Sequence, residues 1–469
     1  MSSENFIITE HVVPGCHIRE YPGSTVNQED VLHLHVKQYT PKSQAQPVPK
    51  DTVTIIAAHG AALPKELYEP LWDELLEQAN TFQIRSIWVA DCASMNMSGL
   101  INEDKLSMDC KPIDPIVYPS EAMVYEESGS WMDHSRDLFL MINHFREQMP
   151  RPIVGVGHSF GGNIITNLAY LHPRLFTTLL LIDPVIQLTP PPMGFGTDAT
   201  GPINYTLYRK DVWPSREVAL RANRALTHGW DPRCVARMAQ YGFRELPTAL
   251  YPDVDAVTAG LQSTTSATSP PHSPPRPHNT TTPVTLTTTK YHDLLAQIRE
   301  NFRARSPETG RISISRATHA DLDPLAAFIP MYRPEPRSVF LRLPTLRPSC
   351  LWVLGGATYL QIDEMREGIK TCGTGVGGSG GIPEGRVREV TLPGLGHLMP
   401  FQAVQQVTEP CVAWLESELA RFRETERLWA EEQKGRSHLT LEGRWYRVLK
   451  PLAVPGGKGE GRKARKDKL

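Results

Sequence analysis

The sequence predicts an α/β protein: a mostly parallel central sheet with helices on both faces and a helical cap inserted into it. Three observations carry that reading. Short, nearly continuous apolar runs alternate with amphipathic stretches, as buried parallel strands and their crossover helices do. Glycines flank a serine where one such run meets a helix. Between about residues 187 and 345 the alternation breaks, which marks an insertion.

The elements follow in order. Residues 30–39, DVLHLHVKQY, alternate apolar and polar types with Leu32, Leu34 and Val36 on one side, so a strand with one wet face opens the sheet. VTIIAAHG (53–60) and RSIWVAD (85–91) read as buried strands, and the amphipathic KELYEPLWDELLEQA between them as the helix of a βαβ unit. In 131–147, Leu138, Met141, Ile142 and Phe145 stand near helical spacing. That helix leads to the strand PIVGVGHS, the helix GGNIITNLAYL and the strand TTLLLID, which ends at Asp183. CLWVLGG (350–356) and VREVTLPG (387–394) supply two later strands, before a long amphipathic helix from about 401 to 426. Sheets of this kind bind ligands beyond the carboxyl ends of their strands, so the helical stretches within 213–242 are expected to cap that edge.

The expected division is a first core part over 1–186, a cap over 187–345, a second core part over 346–430 and an extension over 431–469 with a basic, mobile tail. Within the cap, 254–289 is dominated by Ser, Thr and Pro, has no apolar face to bury, and is expected to be disordered. The glycine-rich Gly373 to Gly381 is expected to interrupt the last β-unit in the same way. The segment HLTLEGRWYRVLKPLAV is expected to form either a subunit contact, in a homodimer, or a strand-like arm folded on its own domain.

Composition excludes other classes. With 469 residues, one catalytic domain of roughly 300 residues plus insertions fits better than a string of small modules. The 49 basic and 51 acidic residues leave a net charge of -2, so no global field attracts nucleic acid or an anionic membrane. No run of about 20 apolar residues appears, hence no membrane insertion is expected, and the N-terminus lacks the pattern of a cleaved signal peptide. The 7 cysteines are odd in number and widely spaced, which suits a reducing compartment better than a disulfide scaffold or a zinc site.

The chemistry-bearing residues lie at strand ends. Gly157-His158-Ser159-Phe160-Gly161 follows a strand and precedes a helix, a turn too tight for side chains beside the serine, so Gly157 and Gly161 permit a nucleophile elbow. Asp183 ends the next strand, either as the acid behind a histidine over Ser159 or as an ordinary turn aspartate before proline. His397, between the last strand and the C-terminal helix, completes the chain order serine, acid, histidine and is the candidate base. In His59-Gly60-Ala61-Ala62, small residues let a backbone N–H from Ala61 or Ala62 face that of Phe160, forming an oxyanion hole in which each donor is worth ~3 kcal/mol. His59 itself reads as structural. No cofactor or metal is needed by such a set.

These residues resemble the α/β-hydrolase superfamily, at AAHG (57–60), GVGHSFGG (155–162), LLLIDPV (179–185) and LPGLGHLMPF (392–401). Over about residues 5–425, without the Ser/Thr/Pro segment, the chain is similar to a fungal branch: peroxisomal acyl-CoA hydrolases of mycophenolic acid biosynthesis and hydrolases of host-selective toxin biosynthesis. The resemblance implies a Ser159, Asp183, His397 triad whose acid follows the sixth strand, and a CoA thioester of a polyketide or terpenoid-derived acid as substrate. After CLWVLGG, the usual place for the acid, the first carboxylates are Asp363 and Glu364, so Asp363 stands as the alternative acid.

An acyl-CoA thioesterase is therefore expected, with a carboxylester hydrolase or lactonase, and a non-hydrolytic binding or cyclising scaffold, as the alternatives. Arg209, Arg216, Arg221 and Arg224, in a basic run of the cap, either pair with CoA phosphates or lie on a solvated helix face. The chain ends Asp467-Lys468-Leu469; Lys468 and Leu469 fit a peroxisomal tripeptide read by an import receptor, whereas Asp467 does not, and the cytoplasm is the alternative location.

Overall fold

A computed structural model describes residues 2–106, 129–189, 202–266, 282–301, 316, 319–323, 331–437 and 439–449. Its central sheet is built from β1 (Phe6–Pro14), β2 (His33–Pro41), β3 (Val53–Ala58), β4 (Ile84–Ala90), β5 (Ile153–His158), β6 (Thr178–Ile182), β7 (Ser349–Gly355) and β8 (Val387–Leu392). The strands lie in the order β1-β2-β4-β3-β5-β6-β7-β8. The pairs β1/β2 and β2/β4 are antiparallel, and the pairs from β4 through β8 are parallel. β1 is a strand that hydrophobic patterning misses: Ile7 and Val12 face solvent, and only Phe6 and Val13 are buried.

Alternate residues of one strand pack into two different cores. Ile56, Trp88, Leu179, Leu181 and Trp352 join the helices Trp131–His144 and Phe160–Leu171 on one face. Ile55, Ile87, Leu180, Ile182 and Val353 join Leu71 and Leu75 of the helix Glu69–Gln78 and Val407, Leu415 and Leu419 on the other. Both faces are covered, which is why these strands read as continuous apolar runs rather than as alternation.

The cap differs from its expected form. Helices Pro202–Tyr208, Arg216–Ala222, Pro232–Tyr241, Val254–Ser266 and Lys290–Gln297 accompany a small antiparallel sheet of Val212–Trp213, Val284–Leu286 and Phe243–Glu245. The segment expected to be disordered thus begins with a helix, opened by Asp253 Oδ1 accepting the Ala256 N–H at 2.9 Å, and ends in a strand. Val284 and Leu286 are buried there; their short alternation is hidden by the threonines around it. Residues 267–281 lie outside the described residues.

The glycine-rich loop is also ordered. Gly373, Gly375 and Ser379 donate their N–H groups to the carbonyls of Leu343, Pro344 and Leu346 at 2.9, 2.7 and 2.9 Å. Positive φ at Gly373 (73°) and Gly381 (68°) explains the residue type.

Two compact units are distinguished, Met1–Ala420 and Arg421–Leu469. In the second, Gly443–Val448 forms a short helix in place of the strand-like arm that was one expectation for this segment. Among the described residues no helix is long and apolar enough to cross a membrane.

Candidate active site

β5 runs into the helix Phe160–Leu171 through Ser159, held at φ 58° and ψ -123°. Only the surrounding packing keeps a non-glycine residue in that conformation. A Cβ on Gly157 would lie 2.4 Å from the Gly161 carbonyl oxygen, and one on Gly161 2.1 Å from that of Ala58. The glycines are thus steric necessities of the turn, and the serine side chain is left at the sheet edge.

Ser159 Oγ lies 2.8 Å from His397 Nε2, and His397 Nδ1 lies 2.6 Å from Asp183 Oδ2. The carboxylate is fully buried at the end of β6, itself at φ 40°, with two further donors: the Gly355 N–H at 3.0 Å and the Thr358 hydroxyl at 2.6 Å. Burial alone would raise the Asp183 pKa. The hydrogen bond and charge of His397, with Thr358 and Gly355, outweigh it and hold the group below the ordinary carboxylate value. An ionised carboxylate only accepts, so Nδ1 carries the proton and Nε2 presents its lone pair to the serine hydroxyl.

The alternative acid is not brought here. Asp363 sits in the first turn of the helix Ile362–Thr371 with its side chain 96% exposed, 3.6 Å from Arg366. Helix formation over 362–371 turns that carboxylate outward.

The two candidate alanine donors separate. The Ala62 N–H is directed at Met95 Sδ at 3.2 Å, a consequence of the φ of 56° at Ala62. Among the described residues the N–H groups of Ala61 and Phe160 have no acceptor, and both residues line the cavity that contains Ser159 and His397. Phe160 opens its helix, where N–H groups lack intrahelical partners.

Two residues that the motifs left unassigned connect these parts. The Gly60 N–H donates to Tyr68 Oη at 2.8 Å, Tyr68 Oη lies 2.7 Å from His158 Nδ1, and His158 Nε2 lies 2.8 Å from the His397 carbonyl oxygen. His158 is fully buried, and its pKa is driven down chiefly by loss of solvent and then by His397, which keeps the ring neutral. The Tyr68 hydroxyl therefore donates to Nδ1, and Nε2–H donates to the carbonyl. His158 was visible as the variable position inside the glycine-serine motif; nothing in the sequence pointed to Tyr68. His59 is structural: Nδ1–H donates to the Gly60 carbonyl at 2.7 Å and Nε2 accepts the Cys92 N–H at 3.0 Å.

The cavity above Ser159 measures about 270 Å³, with Trp131, Val185, Ile203, Leu226, Met238 and Leu286 among its walls. Of the four arginines proposed for CoA, only Arg209 lines it, paired with Asp293 at 2.9 Å. Arg216 is spent elsewhere, donating to the carbonyls of Ala239, Gln240 and Phe243 at 3.2, 3.1 and 2.6 Å. Arg221 and Arg224 are exposed and lie outside the cavity lining.

A glycine-framed serine between parallel strand and helix, hydrogen-bonded to histidine and buried acid, defines a hydrolase of α/β architecture. Residues 55–409 match the model of the alpha/beta hydrolase family, and the chain belongs to that family. It is 68% identical over 469 residues, 100% of both chains, to the type I acyl-CoA thioesterase mpaH of Penicillium roqueforti. It is 65% identical over 468 residues, covering 100% of this chain and 99% of the other, to the type I acyl-CoA thioesterase mpaH' of Penicillium brevicompactum. Among solved structures, the peroxisomal alpha-beta-hydrolase Lpx1 of Saccharomyces cerevisiae shares the fold, with a TM-score of 0.55, 16% identity, and coverage of 95% of this chain and 96% of that one.

Proposed function

We propose that the chain is a serine hydrolase that cleaves the acyl-CoA thioester of a secondary-metabolite acid, of polyketide or terpenoid type, through an acyl-enzyme intermediate. The observation that carries this reading is the hydrogen-bonded series Ser159, His397, Asp183 beside a largely apolar cavity. The identity to two acyl-CoA thioesterases supports the leaving group.

In the proposed cycle His397 Nε2 takes the Ser159 proton as Oγ attacks the thioester carbonyl. The oxyanion is received by the N–H groups of Phe160 and Ala61, and Asp183 balances the imidazolium. Collapse expels the CoA thiolate, which accepts the proton from His397. Water, deprotonated by the same nitrogen, then attacks the serine ester; the acid leaves and Ser159 regains its proton. CoA phosphates stay hydrated outside, where the exposed Arg221 and Arg224 remain candidates to meet them.

Rates on an acyl-CoA and on the methyl ester of the same acid test the leaving group. Faster CoA release is expected; preference for the methyl ester would establish a carboxylester hydrolase instead, and failure of a fluorophosphonate to label Ser159 would point to a non-hydrolytic scaffold. We further propose import into peroxisomes through Lys468-Leu469, which lie outside the described residues. A fluorescent protein carrying residues 458–469 should form puncta on a peroxisomal marker, and diffuse fluorescence would refute this.

A further inference from the structure

The proposed cycle fixes which wall of the cavity the leaving group meets. His397 Nε2 returns its proton to the departing sulfur, so that atom must come within about 3 Å of Nε2, on the histidine side of Ser159 Oγ. Tyr359 stands at that wall. It lines the cavity together with Ser159 and His397, and its ring centroid lies 4.8 Å from that of His397, with the planes tilted by 56°. Tyr359 is 47% exposed, whereas its neighbour Leu360 is 5% exposed and His397 8%. An aromatic surface is thus left uncovered beside an otherwise buried imidazole.

The triad itself holds that surface in place. Tyr359 lies in the loop after β7, and the residues on either side of it are joined: Thr358 Oγ1 donates to Asp183 Oδ2 at 2.6 Å and accepts the Leu360 N–H at 3.3 Å. One residue earlier, the Ala357 N–H donates to the carbonyl of Leu395, two residues before His397, at 2.8 Å. The ring is therefore kept in register with both Asp183 and His397.

What leaves from a CoA thioester is a thiol on the pantetheine arm, in which a short ethylene link joins the sulfur to the first of two amides. Apolar links pack on an aromatic ring, and amide N–H groups are attracted to its negative face. We propose that Tyr359 is the docking surface for the pantetheine arm of the leaving thiol, and so favours CoA thioesters over esters of small thiols and alcohols. The proposal rests on the acyl-CoA reading above and gives the leaving group its place in that site. Contact with a part of the substrate remote from the reacting carbonyl contributes to kcat/KM only when that part is present, so the choice of thiol reports it.

The test compares octanoyl-CoA with the methyl thioester of octanoic acid. Because Tyr359 also packs on His397, the ratio of the two kcat/KM values is read rather than either rate alone. Tyr359→Ala should lower that ratio by about ten-fold, and Tyr359→Phe, which keeps the ring, should hold it within about two-fold of the wild type. Tyr359→Leu serves if the alanine variant folds poorly, as melting temperatures will show, and should lower the ratio by about three-fold or more. An unchanged ratio in the alanine or leucine variant, with both rates reduced alike, would overturn the proposal and leave Tyr359 as a support for His397. Inhibition of p-nitrophenyl octanoate hydrolysis by pantetheine asks the same question without thioester cleavage, and its inhibition constant should rise about ten-fold in Tyr359→Ala. If the wild type prefers the methyl ester of an acid to its CoA thioester while pantetheine inhibition still depends on Tyr359, the thioesterase reading falls and the docking surface stands. Equal inhibition of wild type and variant, or none of the wild type, would refute the docking surface.

Discussion

Replacing Tyr68 by phenylalanine removes one oxygen atom from beside the loop proposed to hold the oxyanion and leaves two buried groups without partners. The ring keeps its packing on Trp72 and Phe401, at centroid distances of 6.2 and 5.1 Å, so no cavity opens. Lost are the Gly60 N–H bond at 2.8 Å and the bond to His158 Nδ1 at 2.7 Å. Each orphaned group costs ~1–3 kcal/mol, so Tyr68→Phe should destabilise the fold by about 2–6 kcal/mol. The catalytic effect follows from where the bonds lead. Gly60 precedes Ala61, a residue of the cavity wall and the proposed oxyanion donor, and His158 holds the carbonyl of His397 at 2.8 Å. Full loss of an oxyanion donor is worth ~3 kcal/mol, and a loop displaced by part of that bond should lower kcat by about 10- to 100-fold with KM changed by less than about two-fold. CoA release in a thiol-capture assay measures the catalytic effect, and urea unfolding the loss of stability. Wild-type kcat in a destabilised variant would show that the chain from Gly60 to His397 supports the fold and does not position the site; unchanged stability would refute the hydrogen bonds themselves.

Two other substitutions separate competing readings. Asp183→Asn should lower kcat by roughly 10⁴-fold through the wrong histidine tautomer, while Asp363→Asn should stay within about two-fold; the reverse pattern would move the acid to Asp363. Asp133→Asn tests a buried charge beneath the site: burial, only partly offset by Arg19, pushes the Asp133 pKa up to about 7 from its ordinary value of 3.8. Between those values the folded chain binds the proton that the unfolded chain releases, so this carboxyl makes stability fall as pH rises. The variant should lack that contribution, a slope of about 1.4 kcal/mol per pH unit, and parallel stability curves for the two proteins would contradict the buried ionisation.

The parts of the fold legible in the sequence are those where one local pattern decides the outcome. Strands buried on both faces give apolar runs, and the elbow at Ser159 requires small neighbours whose places are fixed by backbone approach. Asp183 and His397 were legible as candidates because one directly follows a strand and the other lies in the loop between the last strand and the following helix. What could not be read depends on partners distant in sequence. β1 gains its place by pairing with β2 and shows little apolar periodicity of its own. Val284–Leu286 is a strand because Val212–Trp213 and Phe243–Glu245 flank it. Arg216 looked free for phosphate only because its three carbonyl acceptors come together through the fold. The distinction between Ala61 and Ala62 turns on one backbone angle and on Met95, neither of which a row of small residues reveals.

The most direct test of the acyl-enzyme account is rapid acid quench of the protein mixed with an acyl-CoA, followed by peptide mass mapping and by CoA release in Ser159→Ala. The account expects the acyl mass on the peptide containing Ser159, as an ester formed together with CoA release, and loss of both in the alanine variant. Undiminished CoA release by Ser159→Ala, or an acyl mass on a different residue, would contradict it.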